Sequence, residues 1–390
     1  MTIGTSNQTK LSFIKEVTAG TTPASPALQL LRFTGESLQG SNETTTSEEI
    51  RDDRATSDLV LTDQSVSGDI NVELSGVAFD EFFEAALFTD ASWTTDTDSG
   101  STFAATGTGF TDSGSGFVSS GLEVGQSVQM SGFSDSTIDG IYRILTIAAG
   151  EITTSPAPPA TESAGATVTW NGSTIKSGKT DHSYTIQKSF EDVDTETYIN
   201  FRGCRVSTMS QELSVGALAT MTFGFMGETS EVTESIISGQ SEVAKTTNAI
   251  MNCVGDVTQI LAIGTGITTE IKFTDLSFSY DNALRELKAI GTLGSVDVRA
   301  GTIAATATIN PYFEDKELLD AFLANQSFAL TWEILASDGY AYVFSFPNVK
   351  FTSQSLAAGS KDADMIINGE VQAILDPLSL TTMRICRFTP

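Results

Sequence analysis

The sequence predicts a mainly β protein: two tandem β-sandwich or partly open barrel domains with one helix each, and a third, small β domain inserted into the first. Three observations carry this. Gly, Ser and Thr are abundant, only 18% of residues are charged, and short apolar runs recur between turn-forming stretches. The chain echoes itself once, element by element. A Gly-punctuated segment with its own signature interrupts the first copy. A length of 390 residues suits two or three domains, and 23 Phe among many Leu, Ile and Val exclude disorder.

The echo begins with Arg32-Phe33-Thr34-Gly35-Glu36-Ser37-Leu38 against Lys272-Phe273-Thr274-Asp275-Leu276-Ser277-Phe278. An apolar-Arg-acid triplet follows, Ile50-Arg51-Asp52 and Leu284-Arg285-Glu286, then a Gly-x-Ile strand start, Gly68-Asp69-Ile70 and Gly301-Thr302-Ile303. Each copy then supplies a helix. In 78–89, Phe79, Phe82, Phe83, Ala86 and Leu87 recur at i, i+3, i+4, i+7 and i+8, the apolar stripe of a helix that packs on a sheet. In 313–324 the stripe is Leu318, Leu319, Phe322 and Leu323, with Glu314, Asp315 and Glu317 near the positive helix end.

Hairpins come next. Tyr184–Lys188 and Thr197–Phe201 match Phe328–Trp332 and Tyr340–Phe344, each pair separated by a turn-forming stretch. The closest match is Ser210-Gln211-Glu212-Leu213-Ser214-Val215-Gly216 against Ser353-Gln354-Ser355-Leu356-Ala357-Ala358-Gly359, with four identities in seven. The organisation expected is a first domain at 1–100 and 177–228, an inserted Ig-like or similar β domain at 101–176, a linker at 229–265 in which Val254 to Ile263 can add a strand or short helix, a second domain at 266–378 and a C-terminal tail at 379–390. Insertion at a loop tip is where a fold tolerates it best.

The charge is unusual: 49 acidic against 21 basic residues, a net of -28. Solubility alone accounts for this. A surface past which nucleic acid slides without sticking is the sharper reading, since duplex DNA carries roughly one negative charge per 1.7 Å. Within 101–176 there are six acids and two bases, a net of -4, so -24 lies elsewhere. Cys204, Cys253 and Cys386 are odd in number and far apart, and read as free thiols of a reducing compartment. The first residues lack the basic and apolar regions of a secretory signal, and no apolar run reaches the 18 or so residues of a membrane span.

No catalytic constellation is found, and no cofactor or metal is expected. His182 is the one histidine, which excludes triads and histidine metal clusters; it is expected in an exposed loop. Gly264-Thr265-Gly266 and Gly291-Thr292-Leu293-Gly294 lack a P-loop lysine and read as turns. The acids between Ser47 and Asp58 lack EF-hand order.

The two copies resemble the major tail tube proteins of siphophages, in particular those that carry the tube domain twice in one chain. The most specific stretch is Leu276-Ser277-Phe278-Ser279-Tyr280-Asp281-Asn282-Ala283-Leu284-Arg285-Glu286-Leu287-Lys288-Ala289-Ile290-Gly291; the first copy departs from it at Gly40-Ser41-Asn42-Glu43-Thr44. The resemblance implies a non-enzymatic structural subunit of the virion tail, assembled in the host cytoplasm. It implies a ring of six tube domains around a lumen, hence three chains per ring, stacked into the conduit for DNA ejection. The implied partners are further copies of the chain, a tape measure protein in the lumen, terminator and distal tail proteins at the ends, and DNA that passes without specific binding. Loops at about 41–66 and 281–300 would reach the adjacent ring, with Glu48, Glu49, Arg51, Asp52, Asp53, Arg54, Arg285, Glu286 and Lys288 as contact candidates. The loop from Gly40 to Gln64 is expected to be poorly ordered in the free subunit. Rival readings are a secreted Ig-rich adhesin or pilus subunit, which should carry a secretion signal, and a polysaccharide-degrading tail enzyme, which should show a solenoid repeat or a carboxylate cleft.

Overall fold

The computed structural model describes residues 3–94, 96–264, 267, 271–356, 361 and 364–390. The helix α1 spans Asp80–Ala86, with Asp80 and Glu81 in its first turn. Every member of its predicted stripe is buried: Phe79, Phe82, Phe83, Ala86 and Leu87. Phe82 meets Phe13, Phe225, Phe223 and Tyr184 at ring-centroid distances of 4.6, 5.2, 5.4 and 5.8 Å, mostly edge-on, the geometry aromatic rings favour. Phe88, at φ 48°, ends the helix. The second helix, α2, spans Glu317–Leu323 and, like α1, is shorter than the sequence suggested. Only Leu318 and Ala321 of its apolar face are buried, and Leu323 is 80% exposed.

The strands of the main sheet pair in the same order in the two halves of the chain. Lys10–Lys15 lies beside Tyr184–Phe190, which forms a hairpin with Thr197–Ser214. The far end of Thr197–Ser214 pairs with Thr220–Gly227, and this with Leu59–Glu73. Likewise Val257–Gly264 lies beside Phe328–Leu335, then Ala341–Leu356, then Ile367–Ala373, then Ala304–Pro311. A single hydrophobic cluster runs through both halves, and Phe83 of α1 packs on Tyr342 and Phe344 at 5.3 and 5.8 Å.

A separate seven-stranded sheet runs from Thr97–Gly100 to Val168–Asn171 and encloses its own core around Phe110, Phe117, Tyr142 and Trp170. Its ends meet where Gly172 N donates to Asp96 O at 2.7 Å. This small domain therefore starts and stops a few residues earlier than the sequence suggested. The next strand, Thr174–Lys176, belongs to the main sheet and pairs with Arg384–Phe388. The C-terminal segment is thus no loose tail: Arg384–Phe388 also pairs with Ala341–Leu356. Side chains at the junction fix the insert in place. The buried Arg384 donates to Glu123 Oε2 at 2.6 Å, and Ile141 packs on Ala341, Val343, Cys386 and Phe388.

Other expectations need correction. The stretch at 229–265 holds the strands Thr229–Thr233, Ser241–Val243 and Val257–Gly264. Gly68-Asp69-Ile70 sits inside the strand Leu59–Glu73, whereas Gly301-Thr302-Ile303 precedes Ala304–Pro311, so the two are not matching strand starts. The segment from Gly40 to Gln64 is largely regular: Gln39–Thr46 pairs antiparallel with Leu59–Glu73, and only the residues between them form a turn. Its backbone is satisfied by strand pairing, which needs no apolar burial of the side chains. His182 is half-buried, with Nε2 3.0 Å from Thr89 O, and burial lowers its pKa below the ordinary histidine value. Residues 265–266 and 357–359 of the quoted motifs lie outside the described residues.

Candidate assembly surfaces

Eight strands form one row: Gly35–Glu36, Leu59–Glu73, Thr220–Gly227, Thr197–Ser214, Phe273–Asp281, Ala304–Pro311, Ile367–Ala373 and Ala341–Leu356. The middle pairing joins the halves, with Thr208–Ser214 running antiparallel to Asp275–Asp281. Side chains alternate across this sheet as strand geometry requires. Ile70, Val72, Phe223, Met209, Phe278, Ala307 and Val371 point into the core.

The opposite face is polar. One cross-strand row reads Glu73, Thr220, Glu212, Ser277, Thr308, Glu370 and Ser353. The next reads Asn71, Thr222, Ser210, Ser279, Thr306, Gln372 and Lys350. A third reads Asp69, Gly224, Thr208, Asp281 and Ala304. These rows carry the acids Asp69, Glu73, Glu212, Asp281 and Glu370 against the one base Lys350. Hydroxyls and amides fill most other positions. Such a face has few groups that bind phosphate.

The joint between halves is held by more than strand hydrogen bonds. Asn282 Nδ2 donates to Ala86 O at the end of α1 and to Val206 O, at 2.9 and 3.0 Å. Arg205, with 1% of its side chain exposed, reaches Asp181 at 2.8 Å, Glu228 at 2.8 Å and Asp297 at 3.1 Å. Asp297 comes from the hairpin of Arg285–Leu287 with Asp297–Arg299. The guanidinium thus ties the second half to the first through a charge-assisted cluster.

The sequence-predicted contact residues fall on two hairpins, which meet where Lys288 bonds Asp63. Glu48, Glu49, Arg51, Asp52, Asp53 and Arg54 are exposed at the turn of the long hairpin. Arg51 is engaged within that turn, with Nη2 2.6 Å from Asp53 Oδ2, and this bond lowers the Asp53 pKa. Lys288 reaches across to Asp63 at the base of the long hairpin and to Glu286 at 3.0 Å, and these bonds raise its pKa. The second hairpin therefore braces the first. Arg285 stays exposed on its outer side. Sequence reasoning missed Arg205, Asp181, Glu228 and Asp297, because nothing in spacing links residues so far apart. It also missed the polar pair Glu36 and Lys188, bonded at 2.7 Å.

The exposed ends of the row are Gly35–Glu36 on one side and the last turns of Ala341–Leu356 on the other; neither has a further strand beside it among the described residues. A β-rich subunit with two open edges on one sheet, a polar acidic face and protruding hairpins is built to associate with copies of itself. In agreement, a model of the phage tail tube protein family matches residues 6–373, and the chain belongs to that family. No curated protein matches it. The family is a structural one, a component of the virion tail that self-assembles into a tube. No helix among the described residues is long and apolar enough to cross a membrane.

Proposed function

We propose that this chain is the tail tube subunit of a siphophage and that three copies close into a ring of six related sheet units. The observation that carries this reading is the eight-strand row. Its middle joint, Thr208–Ser214 with Asp275–Asp281, links the two halves, and the same two kinds of edge are left open at its ends. Repeating the joint between chains closes both open ends of this row, the usual solution for a sheet that would otherwise aggregate. In this reading 1–96 with 172–228 and 257–378 are the two tube domains, with 229–256 between them and Arg384–Phe388 completing the wall.

The acidic face becomes the lumen, down which DNA slides during ejection without specific binding, and in which a tape measure protein lies beforehand. The hairpins bearing Glu48, Glu49, Arg51, Asp52, Asp53 and Arg54, and Arg285, Glu286 and Lys288, become contacts to the adjacent ring. Terminator and distal tail proteins cap the ends, and assembly takes place in the host cytoplasm. The insert projects from the outside. Negative-stain microscopy of the purified chain tests the reading: hollow tubes are expected, and a chain that stays monomeric at high concentration overturns it.

A further inference from the structure

At the two ends of the eight-strand row lie buried polar groups of complementary chemistry. Gln354, near the end of Ala341–Leu356, has both amide atoms buried with no partner among the described residues. A buried amide left unpaired is destabilising, so its retention at a sheet edge calls for a partner. At the other edge Lys188 Nζ donates to Glu36 Oε2 at 2.7 Å and to Leu38 O at 3.0 Å, while Leu38 N also donates to Glu36 Oε2 at 3.0 Å. An ammonium has three donors and a carboxylate about four acceptor positions, so this pair can take on a further amide.

The joint inside the chain shows how the edges meet. Gln211, the counterpart of Gln354 in the Ser-Gln-x-Leu echo, pairs with Phe278 across that joint, and Gln211 Oε1 accepts from Trp332 Nε1 of the other half at 2.8 Å. Phe278 pairs with Ala307, and Glu36 pairs with Ile70. Ala307 and Ile70 each stand ten residues before the first residue of their helix, Glu317 and Asp80. The sheet register therefore puts Glu36 in the place of Phe278, two residues away from the Leu38 that the sequence echo sets there, and the same register sets Gln354 opposite Glu36, and Ser353 opposite Ser37, of a second copy. Ile70 and Gly369, their in-chain neighbours, are buried, so Glu36 and Gln354 both lie on the core side of the sheet.

We propose that Gln354 sets the register of the joint between two copies of this chain, its amide donating to Glu36 and accepting from Lys188 of the next copy. This rests on the ring reading above. A neutral amide suits the place because it adds no charge to a buried ion pair, while an apolar residue there would leave the pair's spare capacity unused.

Two sets of variants test it, each compared with the parent for the protein concentration at which tubes sediment at about pH 8. Gln354→Glu places a carboxylate against Glu36 and should raise that concentration about tenfold or more, with the melting temperature of the free chain unchanged. Adding Glu36→Gln restores the charge balance around Lys188 and should bring assembly back towards the parent. The second set is Ser353→Cys with Ser37→Cys, which on oxidation should give covalently linked trimers that neither single variant gives. If Gln354→Glu assembles like the parent, or Glu36→Gln fails to rescue it while the free chain is folded, the role of Gln354 is refuted. Cross-linked trimers alongside either result would leave the ring reading standing. No cross-linking and no tubes from the parent would sink the ring reading itself.

Discussion

Glu333 offers a test of the second half of the fold that depends on a sign. Its side chain is buried in the strand Phe328–Leu335, and Thr258 Oγ1 donates to its Oε1 at 2.6 Å. Burial pushes its carboxyl from 4.5 up to about 7, only partly offset by the Thr258 bond. The folded state therefore holds this proton more tightly than the unfolded chain does. Its contribution is least unfavourable below pH 4.5, worsens as pH rises towards 7, and is constant above that. With about 1.4 kcal/mol per pKa unit, the full penalty is on the order of 3 kcal/mol. A glutamine at this position keeps the acceptor for Thr258 and removes the titration. Glu333→Gln should therefore be more stable than the parent by roughly that amount at about pH 8, and closely similar at about pH 4.5. Urea unfolding of both proteins across this range measures the difference. A difference that does not vary with pH, or a less stable variant at pH 8, would refute the reasoning.

Three further outcomes are expected. Arg205→Met should cost about 3–5 kcal/mol in urea unfolding, because Asp181, Glu228 and Asp297 lose the cation they surround; a cost below about 1 kcal/mol would mean that the cluster does not hold the halves together. Replacing 97–171 by a short Gly-Ser bridge should leave a folded chain that still assembles, since Asp96 and Gly172 already touch, whereas a cut extending through Lys176 removes a main-sheet strand and should unfold it. Equal circular-dichroism melts for the two deletions would contradict this. In hydrogen exchange the free chain should protect the paired amides of 59–67 and exchange quickly at 48–57, with protection of the turn gained only in the tube. Fast exchange across the whole hairpin would restore the irregular loop that the sequence suggested.

The helix stripe of Phe79, Phe82, Phe83, Ala86 and Leu87 was legible because periodicity reports burial directly, and all five are buried. The hairpins were legible for the same reason, with turn residues marking their limits. Lys10–Lys15 and Arg384–Phe388 were missed, and Val257–Gly264 was legible only as a strand or short helix within a linker, since each joins the sheet by pairing with a strand far away in sequence. Leu323 shows the opposite error: it fits the helical period of α2 but faces outward, because that helix presents a narrower face to the sheet than α1 does. The candidate contact residues lie on two hairpins that the sequence read as loops, and the groups that join the halves, Arg205 and Asn282, carry no local signature. Gln354 did leave a trace, as part of the strongest internal match, but no pattern of residues reveals that its amide is buried and unpaired.

The central claim, that one chain supplies two of six units around a closed ring, is tested most directly by an electron cryomicroscopy reconstruction of the assembled tube. The account predicts three chains per ring, with residues 350–356 of each chain hydrogen-bonded to the segment 34–38 of the next in the register of the internal joint. A ring of six chains, or a wall in which those two edges do not meet, would contradict it.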